Sequence, residues 1–116
     1  MRRGDAGALT VRRGDIWWTA LDPTQGSEIR KTRPAVVITA DALNRARRTV
    51  VIVPLSTGPE ARPPIIVPTP SAGPGAVAVC DQLRAVDKRR LTRASGRLSA
   101  SDLGTVEDGV RRVLEL

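Results

Sequence analysis

The chain has 116 residues and contains no histidine, no phenylalanine and no tyrosine, with one cysteine, one methionine and two tryptophans. Without histidine, Ser-His-Asp and Cys-His nucleophiles, histidine metal centres and two-histidine RNA cleavage are all excluded. A lone Cys80 rules out an intramolecular disulfide framework and most zinc sites. With Phe and Tyr missing, only Trp17, Trp18 and arginine planes are left to stack on a nucleobase. No apolar run approaches the roughly 18 residues that a membrane-spanning helix needs. Residues 1–10 carry two arginines with no apolar stretch behind them and do not read as a secretory signal. They read instead as a flexible leader to a single domain over residues 11–116.

What is present points to a small folded domain with a polyanionic partner. Hydrophobic residues make up 41%, too many for wholesale disorder. A chain this long buries about two-thirds of its unfolded surface around one core. Nineteen basic residues against 12 acidic ones leave a formal charge of +7, which favours nucleic acid before membrane. The surplus is uneven. From Pro23 to Arg97 there are thirteen Lys and Arg against five acids, whereas Leu98 to Leu116 has two against four. One reading is a phosphate-tracking groove made by Arg30, Lys31, Arg33, Arg62 and the Arg84–Arg97 cluster. The other is a soluble surface with an arginine-rich composition.

Five short strands are predicted. Ile16 to Leu21 is β-prone and ends in the turn-forming Asp22-Pro23-Thr24-Gln25-Gly26-Ser27. Ala35 to Thr39 and Thr49 to Leu55 are β-branched apolar runs and read as strands buried on both faces. Pro34 pushes Arg33 into extended geometry at the start of the first of these. Ile65 to Val67 lies between Pro64 and Pro68, which predicts an edge strand. Ala76 to Cys80 is the fifth, and Cys80 within it reads as an inert core thiol. Asp41 to Asn44 reads as one helical turn capped by Asp41 or Thr39. At the C-terminus, Ser99-x-x-Asp102 marks a helix start, and Leu103, Val106, Val110 and Val113 share one face. The whole reads as a mainly β (α+β) domain, a strongly bent sheet or small barrel with a C-terminal helix packed on it.

RNA cleavage without histidine or metal needs a base for the ribose 2′-hydroxyl, a cation for the charge on phosphorus, and help for the departing 5′-oxygen. Glu28, Arg33 and the hydroxyls of Ser56 or Thr57 are the candidates. Antiparallel pairing of the two buried strands would bring Arg33 and Ser56 to one rim. Each residue also has a plain reading, Glu28 as an exposed loop charge and Ser56 as an ordinary turn residue. Trp17 and Trp18 alternate along a strand and point to opposite faces. One tryptophan is expected in the core and the other packed under a loop or helix, with base stacking on the outward ring as the alternative.

The same residues carry a family resemblance. Arg13-Gly14-Asp15-Ile16-Trp17, Asp22-Pro23-Thr24-Gln25-Gly26-Ser27-Glu28 and Arg33-Pro34-Ala35-Val36-Val37-Ile38 resemble the MazF/PemK endoribonuclease toxins. Val53-Pro54-Leu55-Ser56, Val77 to Arg84, Asp87-Lys88, Leu91 and Gly96-Arg97-Leu98 follow in the same order, so the resemblance spans residues 11–116. It implies an SH3-like barrel of five to seven short strands with a C-terminal helix, assembled as a cytoplasmic homodimer. It implies sequence-specific, cofactor- and metal-independent cleavage of single-stranded RNA to 2′,3′-cyclic phosphate and 5′-hydroxyl ends, held in check by a cognate antitoxin. Matched by position, Arg33 and Ser56 are the catalytic arginine and hydroxyl, Glu28 the loop glutamate, and Gln82 a groove residue. Arg30, Lys31, Thr57, Gln82 and Arg84 are the expected RNA contacts. Ile29 stands where the family often has glutamine, and Ala20 where some members carry an acid. A non-catalytic toxin of the same fold acting on a protein such as gyrase, and a plain RNA-binding barrel, are the competing readings.

Overall fold

The computed structural model describes residues 10–21, 26 and 31–116. Its centre is made by the two apolar runs. They form β2 (Thr32–Val37) and β3 (Thr49–Ser56), paired antiparallel with Ala35 opposite Pro54, Val36 opposite Val53 and Val37 opposite Ile52. β1 (Asp15–Ala20) lies on the other side of β2, and β7 (Leu91–Arg97) on the far side of β1. Along its outer side β3 is shared. Its first half pairs with β6 (Arg84–Asp87), and Leu55 and Ser56 pair with β5 (Val77–Val79). β4 (Ile66–Pro68) completes the sheet beside β5, at the edge that its prolines predicted.

Seven strands form where the sequence pattern marked five. β7 escaped notice because Thr92 to Arg97 are all exposed, and β6 because its four residues hold a single buried apolar side chain, Val86. Their conformation is imposed by pairing with β1 and β3. The sheet is bent but does not close into a barrel. β4 ends at Pro68, which has no N–H for a further ladder. A turn at Pro70–Ala72 stands beside β7 instead, and the Ser71 hydroxyl accepts from the Ser99 N–H at 3.0 Å.

Alternation sorts the apolar side chains into two clusters. Trp17, Ala35, Val37, Val50 and Ile52 bury one face of β1 to β3 beneath Val11, Leu21, Val86 and Leu91. Ile16, Val36, Val53 and Leu55 bury the other, together with Val67, Ala78, Cys80, Leu98 and Val106. α2 (Ala100–Leu114) covers part of this second face, with Val106 fully buried and Leu103, Val110 and Val113 packed against the cluster. Its start is capped as expected, Ser99 accepting from the Asp102 N–H at 3.0 Å. The Asp102 carboxylate does not complete the capping box. It accepts from the Ser71 backbone N–H at 2.7 Å and from the Ser71 hydroxyl, tying the helix to the preceding turn.

α1 (Asp41–Ala46) also differs from expectation at its cap. Its N-cap is Ala40, with no side-chain cap. Asp41 accepts from the Arg13 N–H at 2.7 Å, and the Thr39 hydroxyl is used by the Val51 backbone. Arg13-Gly14-Asp15 is likewise a structural clasp. The Arg13 guanidinium bonds the Ile38 carbonyl and pairs with Glu107 of α2. Gly14 sits at φ +92°, where a side chain is strained, and Asp15 accepts from Arg97 at 2.6 Å.

Candidate active site

The register of β2 on β3, continued two residues past Ala35 and Pro54, sets Arg33 opposite Ser56. Both residues line a cavity of about 400 Å³ at this end of the sheet. Trp18 and Pro34, opposite each other in the β1–β2 ladder, form part of its wall, and Leu55, Thr57, Ser71, Gly96 and Arg97 contribute as well. The antiparallel pairing of the two strands expected from the sequence is present, and Arg33 and Ser56 line the same cavity.

The lining residues differ in how far their polar groups are already engaged. Arg33 is exposed, and its guanidinium has no hydrogen bond or ion pair among the described residues. Arg97 is committed to the scaffold, donating to the Asp15 carboxylate at 2.6 Å and the Arg13 carbonyl at 3.0 Å. Ser56 is half-buried and accepts from the Gly58 N–H at 3.3 Å. That bond leaves the Ser56 O–H free to donate. No carboxylate lines the cavity among the described residues, which also hold no cluster of metal-ligating side chains. Glu28 and Arg30 lie outside the described residues.

Other expected RNA contacts are spread out. Thr57 is exposed on the cavity wall. Lys31 is exposed at φ +68°, with its carbonyl accepting from the Leu21 N–H at 2.9 Å. Gln82 is half-buried in the turn Cys80–Gln82 and Arg84 opens β6, and neither lines the cavity. Arg84 donates to the Leu21 carbonyl at 3.3 Å and Arg90 to the Ala20 carbonyl at 3.0 Å. Together with the Leu21–Lys31 bond they secure the base of the segment that contains Glu28. Lys88 bonds the Asn44 carbonyl, and Arg89 pairs with Asp87 at 3.0 Å. Most of the basic side chains between Arg84 and Arg97 thus have partners within the chain. Cys80 is buried, as expected, and its thiol is pushed up to about 11, first by desolvation and then by the charge of Asp81.

Sequence reasoning undervalued Trp18. Trp17 is 2% exposed in the first cluster, while Trp18 stands half-open on the cavity wall with Arg93 Cζ 5.3 Å from its ring centroid. The alternation along β1 predicted two environments. Which tryptophan takes which depends on what lies across the sheet.

Residues 12–114 match the family model described as PemK-like, MazF-like toxin of type II toxin–antitoxin system. Endoribonuclease MazF9 of Mycobacterium tuberculosis is 32% identical over 115 residues, covering 91% of this chain and 98% of that protein. Endoribonuclease MazF of Staphylococcus epidermidis is 31% identical over 105 residues, covering 86% and 88% of the two chains. Among solved structures, MazF from Deinococcus radiodurans superposes with a TM-score of 0.80 at 23% identity, over 92% of this chain and 98% of that one. A mycobacterial endoribonuclease in complex with its cognate antitoxin gives 0.75 at 19% identity, over 91% and 96%.

Proposed function

The chain belongs to the PemK-like, MazF-like toxins of type II toxin–antitoxin systems, and from that premise we propose that it is an endoribonuclease whose reaction centres on Arg33 and Ser56. The observation that supports this reading is that both line one cavity, where Arg33 has an unengaged guanidinium and Ser56 a hydroxyl whose proton can still be donated.

The chemistry follows from what each group can hold. A ribose 2′-hydroxyl attacks the adjacent phosphorus in line, a bond to the 5′-oxygen breaks, and a 2′,3′-cyclic phosphate and a 5′-hydroxyl result. Charge develops on the non-bridging oxygens as the phosphorane forms. Arg33 presents a planar fork of cationic donors to those oxygens. Its first role is therefore to stabilise the phosphorane. The Ser56 O–H donates a hydrogen bond to a phosphate oxygen or to the departing 5′-oxygen, which takes up its proton from water. Glu28 takes the 2′-hydroxyl proton from the segment whose base Arg84 and Arg90 hold. Lys31, Thr57 and Arg30 contact the RNA backbone, and Gln82 borders the path.

The proposed partners follow the relatives. The chain acts as a cytoplasmic homodimer on single-stranded RNA, and a cognate antitoxin blocks the cavity. Among the described residues no helix is long and apolar enough to cross a membrane.

The test is cleavage of a long, unstructured single-stranded RNA with EDTA present, with the product ends mapped. Discrete cuts with cyclic phosphate and 5′-hydroxyl ends are expected. Arg33→Ala is expected to lower the rate about a hundred- to a thousandfold, the usual loss for one such donor. Arg33→Lys keeps the charge but loses the fork and is expected to fall nearly as far. Near-normal cleavage by Arg33→Lys overturns the fork role. No cutting of several long RNAs by folded, antitoxin-free protein overturns the nuclease reading.

A further inference from the structure

We propose that Trp18 is the platform on which one nucleobase of the bound RNA stacks, beside the phosphate held by Arg33, with Arg93 completing the stack. The inference rests on the nuclease reading and names the part of the substrate that the cavity wall recognises.

Three observations converge on it. The sequence has no Phe, Tyr or His, and of its two tryptophans Trp17 is sealed in the core. Trp18 is consequently the one aromatic ring in the chain that a base can reach. Its place is also right for a nucleotide. Trp18 is opposite Pro34 in the β1–β2 ladder and lines the same cavity as Arg33 and Ser56. A base lying on the indole would share that cavity with a phosphate held by Arg33. Finally, Arg93 is opposite Trp18 in the β1–β7 ladder, with its guanidinium carbon 5.3 Å from the ring centroid. A guanidinium over one face of the ring is an arrangement that base stacking uses, because its plane offers a second stacking surface and its charge attracts the backbone. Stacking tolerates any base, since every base has a π-face. Sequence discrimination would then come from the polar lining around the ring.

The experiment uses the full chain and an RNA spanning a mapped cut site, made with 2′-O-methyl at the cut position so that it binds without being cleaved. Binding is expected to quench or shift the tryptophan fluorescence and to shield it from acrylamide. Trp18→Ala should weaken binding on the order of ten- to a hundredfold. Trp18→Phe should restore most of it, and both variants should stay folded at the temperature of the binding assay. Abasic nucleotides are then placed one at a time around the cut. At the stacked position the abasic loss and the Trp18→Ala loss should not add, an outcome that a merely structural tryptophan would not produce. If the parent binds and cuts while Trp18→Ala stays within twofold, or if the two losses add at every position, the stack is overturned and the nuclease reading stands. If the parent neither binds nor cuts, the nuclease reading fails and the stack with it.

Discussion

The two faces of the β1–β2–β3 sheet are made by alternate residues of the same strands, yet one is sealed and the other is left partly open. On the first, Trp17, Val37, Val50 and Ile52 meet Leu21, Val86 and Leu91 in a closed apolar cluster. On the second, α2 brings Val106 down onto Ile16, Val36 and Leu55, but its cover stops short of Trp18 and the strand ends. The cavity is what that partial cover leaves. A tryptophan on either face has the same hydrophobicity. Its fate depends on whether an element lies opposite, so the difference between scaffold and site here is one of cover.

Several substitutions can break or sharpen this contrast. The largest effect on stability is expected from Trp17→Ala, at about 3–5 kcal/mol, the usual cost of removing a large aromatic from a core. Trp18→Ala is expected to cost well under this in urea denaturation of the same protein. Equal losses would show that the second face is as closed as the first. The buried Trp17 Nε1 has no hydrogen-bond partner among the described residues, so Trp17→Phe should cost less than the lost area suggests.

The helix that makes the partial cover gives the next pair. A Cβ added at Gly109 would stand 2.7 Å from Cys80 Sγ and 2.8 Å from the Pro64 carbonyl oxygen. Gly109→Ala is therefore expected to destabilise by about 1–3 kcal/mol through overpacking. A Cβ at Gly104, in the same helix, meets nothing within 4 Å. Gly104→Ala should stabilise by about 1 kcal/mol through helix propensity alone. Opposite signs in one denaturation series would show that α2 presses on the second face at Gly109 and not at Gly104.

The last effect, confined to alkaline pH, concerns Cys80 beneath that helix. Its thiol is raised from the ordinary 9.0 to about 11, so the folded state favours the neutral form. That contribution is complete below about pH 9 and is lost as the pH rises from there towards about 11. Cys80→Ala should flatten the alkaline end of the stability curve. Alkylation by iodoacetamide at pH 8 should be absent in the native protein and complete once it is unfolded.

Much of the fold could be read directly from residue order. Within the runs Ala35 to Thr39 and Thr49 to Leu55, Ala35 to Ile38 and Val50 to Leu55 are apolar throughout because most of both faces is covered, and that pattern has one simple meaning. Ser99 and the face of Leu103, Val106, Val110 and Val113 announced α2. The opposition of Arg33 and Ser56 followed from pairing these two strands antiparallel. β7 was not legible, since Thr92 to Arg97 are polar and exposed and become a strand only because β1 offers a partner. The roles of the arginines were not legible either. Arg33, Arg84, Arg93 and Arg97 are alike in sequence. One is free at the cavity, one holds a loop carbonyl, one lies over an indole and one neutralises Asp15.

The sequence by itself determined which chemistries are closed to this protein, which segments lie in the centre of the sheet, and the family to which it belongs. These follow from residue types and local periodicity, which act over a few neighbouring positions. Only the tertiary structure decided which tryptophan is core and which arginine is available. Those outcomes depend on contacts such as Arg97 with Asp15, 82 positions apart, and on how far one helix reaches across one face of the sheet. Alternation along a strand defines two sides, but what covers each side is set by distant parts of the chain.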